Sequence, residues 1–86
     1  MRVVLHRNFV KRYKKLRTAE QKKFRERRNL FMSNPFHPLL SNHPLQGKYE
    51  GYRSFNVTGD LRVVYRNLNE EVAVFVEIGT HNELYS

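Results

Sequence analysis

Apolar positions change their spacing midway along this chain, and the change separates a helical first half from a strand-forming second half. Near the start, Val3-Val4-Leu5 places three apolar residues in a row and predicts a short strand. Phe9, Tyr13 and Leu16 then recur at i, i+4 and i+7, one stripe of a helix that Asn8 is placed to cap. Thr18-Ala19-Glu20-Gln21 has the form of a capping box and predicts a second helix. That helix buries Phe24, Leu30 and Phe31 and stops near Ser33, before Asn34-Pro35. The loop NPFHPLLSNHPLQGK follows, with its three prolines. No repeat, low-complexity tract or domain boundary interrupts the chain, so residues 1–86 read as one domain.

Beyond the loop the period drops to two. Arg53, Phe55 and Val57 share one face of a strand, and Ser54 and Asn56 the other. Thr58-Gly59-Asp60 signals a turn into a second strand, in which Leu61, Val63 and Tyr65 alternate with Arg62, Val64 and Arg66. After Asn67-Leu68-Asn69-Glu70, a third strand places Val72, Val74, Val76 and Ile78 together. Tight turns then set Asn56 opposite Arg62, Arg66 opposite Glu71, Arg62 opposite Phe75 and Asp60 opposite Glu77. Asn56, Asp60, Arg62 and Glu77 fall on the face turned away from the helices. The predicted fold is α+β: an N-terminal strand and a two-helix hairpin packed on one face of a twisted antiparallel sheet.

Charge changes the picture more than any other compositional feature. The net charge of +8 is concentrated between Arg7 and Arg28, where eleven Lys and Arg face only Glu20 and Glu26. Such a block attracts polyanions by releasing their counterions, and nucleic acid or a ribosome is the expected target. Lys11, Arg12, Lys14, Lys15, Lys22, Lys23 and Arg25 on the hairpin, with Lys48 from the loop, are the candidate RNA or ribosome contacts. The helices lack the broad apolar face that a membrane surface requires. No cysteine is present, the longest apolar run is the five residues Val72 to Val76, and the start shows no signal-peptide pattern. A reducing cytoplasm is therefore the expected compartment.

Among reactive side chains, His6, His37, His43 and His81 have no cysteine partners and no close ligand spacing, so no metal or cofactor is expected. The GKYEG segment has the wrong order for a phosphate loop, and no Ser-His-Asp set is legible. Metal-free RNA cleavage fits the inventory better. The 2′-hydroxyl beside the phosphate is a built-in nucleophile; the protein need supply only a base, an acid and a cation. His43, His81 and Arg62 are candidates by type.

The segments HPLQGKYEGYRSFNVTGDLRVVYR and IGTHNELY, in that order, resemble the RelE/ParE toxin superfamily and within it the YafQ branch. The resemblance covers the second half of the chain; the first half agrees in layout alone. It implies the toxin of a type II toxin–antitoxin system, an mRNA interferase that cuts messenger RNA on translating 70S-type ribosomes. The partner implied is a cognate antitoxin, with a monomeric toxin alone and a hetero-oligomer with antitoxin. By the same resemblance His43 is the base, His81 the proton donor, Asp60 the turn aspartate and Tyr85 the aromatic that stacks on or orients substrate. Arg62 matches the phosphate-binding arginine of the RelE and YoeB branches. Arg53 matches the GYR arginine, although its parity with Phe55 aims it at the helices and suggests a structural role.

Asn56, Leu61 and Glu77 depart from the YafQ pattern, which has His, an aromatic residue and Arg there. Glu77 removes a cation from the phosphate site and adds a repulsive charge there, while Asn56 and Glu77 are both still placed on the site face. Two other functions stay open: a ParE-like poison of DNA gyrase, and a weakened member that only binds RNA or antitoxin.

Overall fold

A computed structural model of the chain describes residues 1–85. Strand β1 (Arg2–Leu5) leads into helices α1 (Arg7–Tyr13) and α2 (Thr18–Ser33). A loop with a 3-10 turn at Pro38–Leu40 reaches the short strand β2 (His43–Pro44), and a second 3-10 turn spans Gly47–Tyr49. Strands β3 (Arg53–Asn56), β4 (Leu61–Asn67) and β5 (Val72–Thr80) follow, and helix α3 (His81–Tyr85) closes the described chain.

The five strands form one sheet in the order β1-β5-β4-β3-β2. Neighbouring strands from β2 to β5 are antiparallel, as their short connections require, while β1 lies parallel to β5. The helices carry the chain from β1 to the far edge of the sheet, and the chain reaches the parallel neighbour β5 only after β2, β3 and β4. Both helices contribute to a core on one side of the sheet. Phe75 is its hub, within 5.3 to 6.1 Å of the rings of Phe9, Phe24, Phe31, Phe55 and Tyr65. Removing a ring from such a cluster costs about 3–5 kcal/mol, a large part of the stability of a domain this small.

The helix starts differ from the sequence pattern. Nδ1 of His6, not Asn8, caps α1 by accepting from the Asn8 N–H at 3.1 Å. Thr18 is already inside α2: Arg17 is the cap residue, and Glu20 reaches back to accept its N–H at 3.1 Å. Gln21, expected to complete a capping box, donates instead to the Tyr13 carbonyl at 3.0 Å and so closes the end of α1.

The first hairpin has the predicted register, with Asn56 opposite Arg62. The second does not. Arg66 faces Val74, Val64 faces Glu77 and Arg62 faces Gly79. Two features cause the slip. The Asn69 side chain accepts from the N–H groups of Glu71 and Val72, at 2.8 and 3.0 Å, and widens the turn. Val76 is then an extra residue in β5, a β-bulge between the pairs Tyr65–Phe75 and Val64–Glu77. The bulge reverses parity, so Ala73, Phe75 and Ile78 enter the core rather than the expected set of alternate valines.

Candidate active site

The site is built on the sheet face opposite the helices. One row across it runs His43, Ser54, Val64, Glu77; the next runs Asn56, Arg62, Gly79. Val64 is fully buried although it has no part in the helix-side core, so the middle of this face is itself covered.

His43 arrives from the proline-rich loop, which is clipped down just before it. The Asn42 amide donates to the Pro35 carbonyl at 2.8 Å and to the buried Tyr65 hydroxyl at 2.7 Å. Its oxygen accepts from Nε of Arg53 at 2.9 Å, and the Arg53 guanidinium lies 5.3 Å from the centre of the Phe36 ring. Arg53 is thus directed to the loop clip. Ser41, in the left-handed region at φ 47°, turns its carbonyl to His43 Nδ1 at 2.8 Å. A carbonyl only accepts, so Nδ1 carries the hydrogen and Nε2 is the nitrogen left for chemistry.

His81 arrives from the other end of the sheet. Thr80 and Glu83 form a reciprocal capping box: the Thr80 N–H donates to Glu83 Oε1 at 2.8 Å, and the Glu83 N–H to Thr80 Oγ1 at 3.2 Å. This starts α3 with His81 as its first residue, and Leu84 anchors the helix by burial. The terminal histidine is therefore held, not frayed. The terminus was expected to be tied to the sheet, and the pattern T-x-x-E at Thr80 is the local signal for how it is tied.

Arg12 on α1 ties this end together. Its guanidinium lies 3.7 Å from Glu77 and 3.8 Å from Glu83. It passes over Gly79, where a Cβ would come within 3.0 Å of Arg12 Nη1, so the small residue makes room for it. The charge that Glu77 brings to the sheet face is met by an arginine from another element. Arg12 thus serves within the molecule, whereas Lys11, Lys14 and Lys15 are exposed along α1 and line a groove with Arg7. Lys22 and Arg25 are exposed on α2, Arg25 donating to the Tyr13 hydroxyl at 2.9 Å, and Lys23 pairs with Glu26 at 3.8 Å.

A run of tyrosine rings leads away from His81. The Tyr85 ring is 4.7 Å from that of His81 and meets Tyr49 edge-on at 5.7 Å; Tyr49 meets Tyr52 at 6.1 Å. Burial holds the Tyr49 phenol above its ordinary pKa, and the Glu77 carboxylate adds to the rise. Burial does the same to Tyr85, with the Arg62 cation pulling the other way. Both phenols therefore stay protonated in neutral solution. Arg62 Nε is buried and, among the described residues, has no hydrogen-bond partner. An unpartnered buried donor of this kind suits an anionic ligand. Lys48 stands 5.3 Å from the Tyr49 ring centre.

Asp60 is exposed at the rim, where the β4–β5 ladder ends at Leu61–Thr80 and leaves Asp60 and His81 as the next residues. It does not lie opposite Glu77. Asn56 lies beside Arg62 in the second row. Tyr49, Tyr52, Asn42 and Glu83 were not singled out from the sequence; the aromatic pair in GKYEGY was the available signal for the first two. Among the described residues, no three His, Asp or Glu gather where a metal ion could be held, and no helix is long and apolar enough to cross a membrane.

Comparison with known proteins gives a family and relatives of the same fold. The family described as bacterial toxin of type II toxin-antitoxin system, YafQ, matches residues 1–86. The Escherichia coli (strain K12) protein named mRNA interferase toxin YafQ is 35% identical over 51 residues, a stretch covering 59% of this chain and 54% of that protein. The chain thus spans about half the length of that curated relative. The crystal structure of YafQ from E. coli strain BL21(DE3) superposes with a TM-score of 0.82 at 25% identity over all of both chains. YafQ in the E. coli DinJ-YafQ toxin-antitoxin complex superposes at 0.79 and 25% identity, covering 98% of this chain and 96% of that one. An archaeal RelE from a RelE-RelB complex of Pyrococcus horikoshii OT3 shares the fold at 0.74 and 24% identity, covering 92% of each.

Proposed function

The chain belongs to the YafQ family of bacterial type II toxin–antitoxin toxins, and on that premise we propose that it is an mRNA interferase acting on the translating ribosome. His43 Nε2 takes the proton from the 2′-hydroxyl. The 2′-oxygen attacks the adjacent phosphorus, the bond to the 5′-oxygen breaks, and His81 protonates that leaving oxygen. The products are a 2′,3′-cyclic phosphate and a free 5′-hydroxyl. Arg62 stabilises charge on the phosphate, Tyr85 orients His81 and the substrate, and Asp60 steadies the protonated His81 from the rim.

The observation that carries this reading is the tautomer of His43. With Nδ1 bound to the Ser41 carbonyl, Nε2 has a free lone pair on the same sheet face as the unpartnered Nε of Arg62. Three inter-strand steps separate β2 from β5, roughly 14 Å at the backbone, and His81 lies four residues past Glu77, the residue level with His43. Glu77 does not argue for a dead site, because Arg12 compensates its charge. The name of the E. coli relative supports RNA cleavage, and the DinJ complex supports an antitoxin partner. The exposed lysines of α1 and α2 contact ribosomal RNA. The toxin is a cytoplasmic monomer until antitoxin binds it.

The test is primer extension on messenger RNA in a reconstituted translation reaction, with and without ribosomes. Ribosome-dependent cuts that are lost on His81→Ala, by about 10²–10⁴-fold in rate, are expected. Absence of cuts from the native chain, with damage to DNA instead, would transfer the function to gyrase poisoning.

A further inference from the structure

We propose that the sheet face holds a second RNA subsite, joined to His81 through the Tyr49–Tyr85 ring contact, one that seats the base of a nucleotide flanking the cut linkage and selects a base bearing an amino group. This rests on the reading above that RNA crosses this face. A cleft of about 360 Å³ opens there. Tyr49 and Tyr52 line it from the segment before β3, and Val74 and Val76 line it from β5. The bulge at Val76 creates this lining, because it turns Val76 and Glu77 toward the cleft together with Val74. A regular strand would have sent one of them into the core.

The lining has the two properties that single-stranded RNA requires. Two half-buried aromatic rings and two valines offer a base apolar surface and a stacking partner. Exposed Lys48 and Arg66 stand at the same cleft and supply positive charge for the backbone. Glu77 shares the cleft as well, and since a carboxylate and a phosphate are both acceptors only, its partner is the base. Its charge is compensated by Arg12 at 3.7 Å, a separation too long for a hydrogen bond, which leaves Glu77 as an acceptor. Carboxylates accept from the cytosine amino group, whereas the uracil carbonyl at the same position is repelled. The two bases are equal in shape and isolate the point.

Short 2′-O-methyl oligomers of cytidine and of uridine cannot be cut by 2′-hydroxyl attack, so binding is read apart from catalysis. In a titration of the ¹⁵N-labelled protein, both should shift the amides of Tyr49, Tyr52, Val74 and Val76, the cytidine oligomer binding about tenfold tighter. Tyr52→Ala should weaken both by about tenfold, and Glu77→Gln should tighten the uridine oligomer and erase the preference. The variants' own spectra report whether they are folded. Shifts confined to the basic face of α1, or equal affinity of the native chain for the two oligomers, would overturn the subsite. Loss of ribosomal cleavage with cleft binding intact would instead count against the proposed reaction alone.

Discussion

The loop that delivers His43 and the tail that delivers His81 meet the same sheet face, but they hold their histidines in different ways. The loop fixes the ring itself, through Nδ1 on the Ser41 carbonyl at 2.8 Å. The tail fixes the backbone at His81, through the Thr80–Glu83 box and the burial of Leu84, and leaves the ring against Tyr85. A base gains from a fixed tautomer, since the wrong nitrogen cannot take the proton. An acid that follows a departing oxygen gains from a fixed origin and a ring free to reorient. The division of roles proposed for the two residues corresponds to this difference in anchoring.

The largest effect expected is on the pH dependence of cleavage. A base acts when neutral and an acid when protonated, so the native rate should pass through a maximum. His43→Ala should remove the fall on the acid side and His81→Ala the fall on the alkaline side, each with a loss of about 10²–10⁴ in rate. Single-turnover cleavage on stalled ribosomes across pH checks this. If both variants lost the same limb, the two anchoring modes would not mean two roles.

A smaller effect should follow from breaking the clip behind His43. Asn42→Ala leaves the buried Tyr65 hydroxyl, the Pro35 carbonyl and Arg53 Nε without their shared partner. Losses of this kind cost about 2–3 kcal/mol, and in a domain of this size that lowers Tm by roughly 10–15 °C. Calorimetry measures the drop. Cleavage by the folded fraction should fall too, because the clip sits one residue from His43, while the tail should be undisturbed.

How far each anchor was legible differs in the same way. The first hairpin could be paired from sequence because Thr58-Gly59-Asp60 is short and the residues around it alternate, so Asn56 and Arg62 came out as neighbours. The second could not. Val72 to Val76 is apolar at every position, and an unbroken apolar run carries no mark of where a bulge resets its parity. Asp60 was therefore set against Glu77 instead of at the end of the ladder, past Leu61–Thr80. The capping box at Thr80 was legible, yet the same pattern at Thr18 served a different purpose, since local signals name a form but not its register. Arg12 stood among eleven cations with nothing to distinguish it. Its role depends on Gly79 and Glu83, far along the chain, and only the fold brings them together.

The smallest effect separates the two anchors by their acid sensitivity. Thr80→Ala removes one half of the box and should cost about 1 kcal/mol, seen as a modest fall in Tm. Glu83 supplies the other half, and its carboxyl is held below the ordinary value of 4.5. The Thr80 N–H is the main cause; the Thr80 hydroxyl and Arg12 assist, while burial and Glu20 oppose. A carboxylate with a lowered folded pKa stabilises fully above its unfolded value. That contribution is lost as pH falls below about 4.5 and through the folded value. Protonation also weakens the hold of Arg12 on α3, leaving Glu77 as its remaining partner. The clip at His43 is made by Asn42, Arg53, Pro35, Tyr65 and the Ser41 carbonyl, with no carboxylate among them. On acidification, amide signals of His81 and Asn82 should therefore broaden or shift before those of Asn42 and His43, and Glu83→Gln should abolish that order. Simultaneous loss of both sets would mean that the tail and the loop open as one unit, and the contrast between a fixed ring and a fixed backbone would then have no separate thermodynamic meaning.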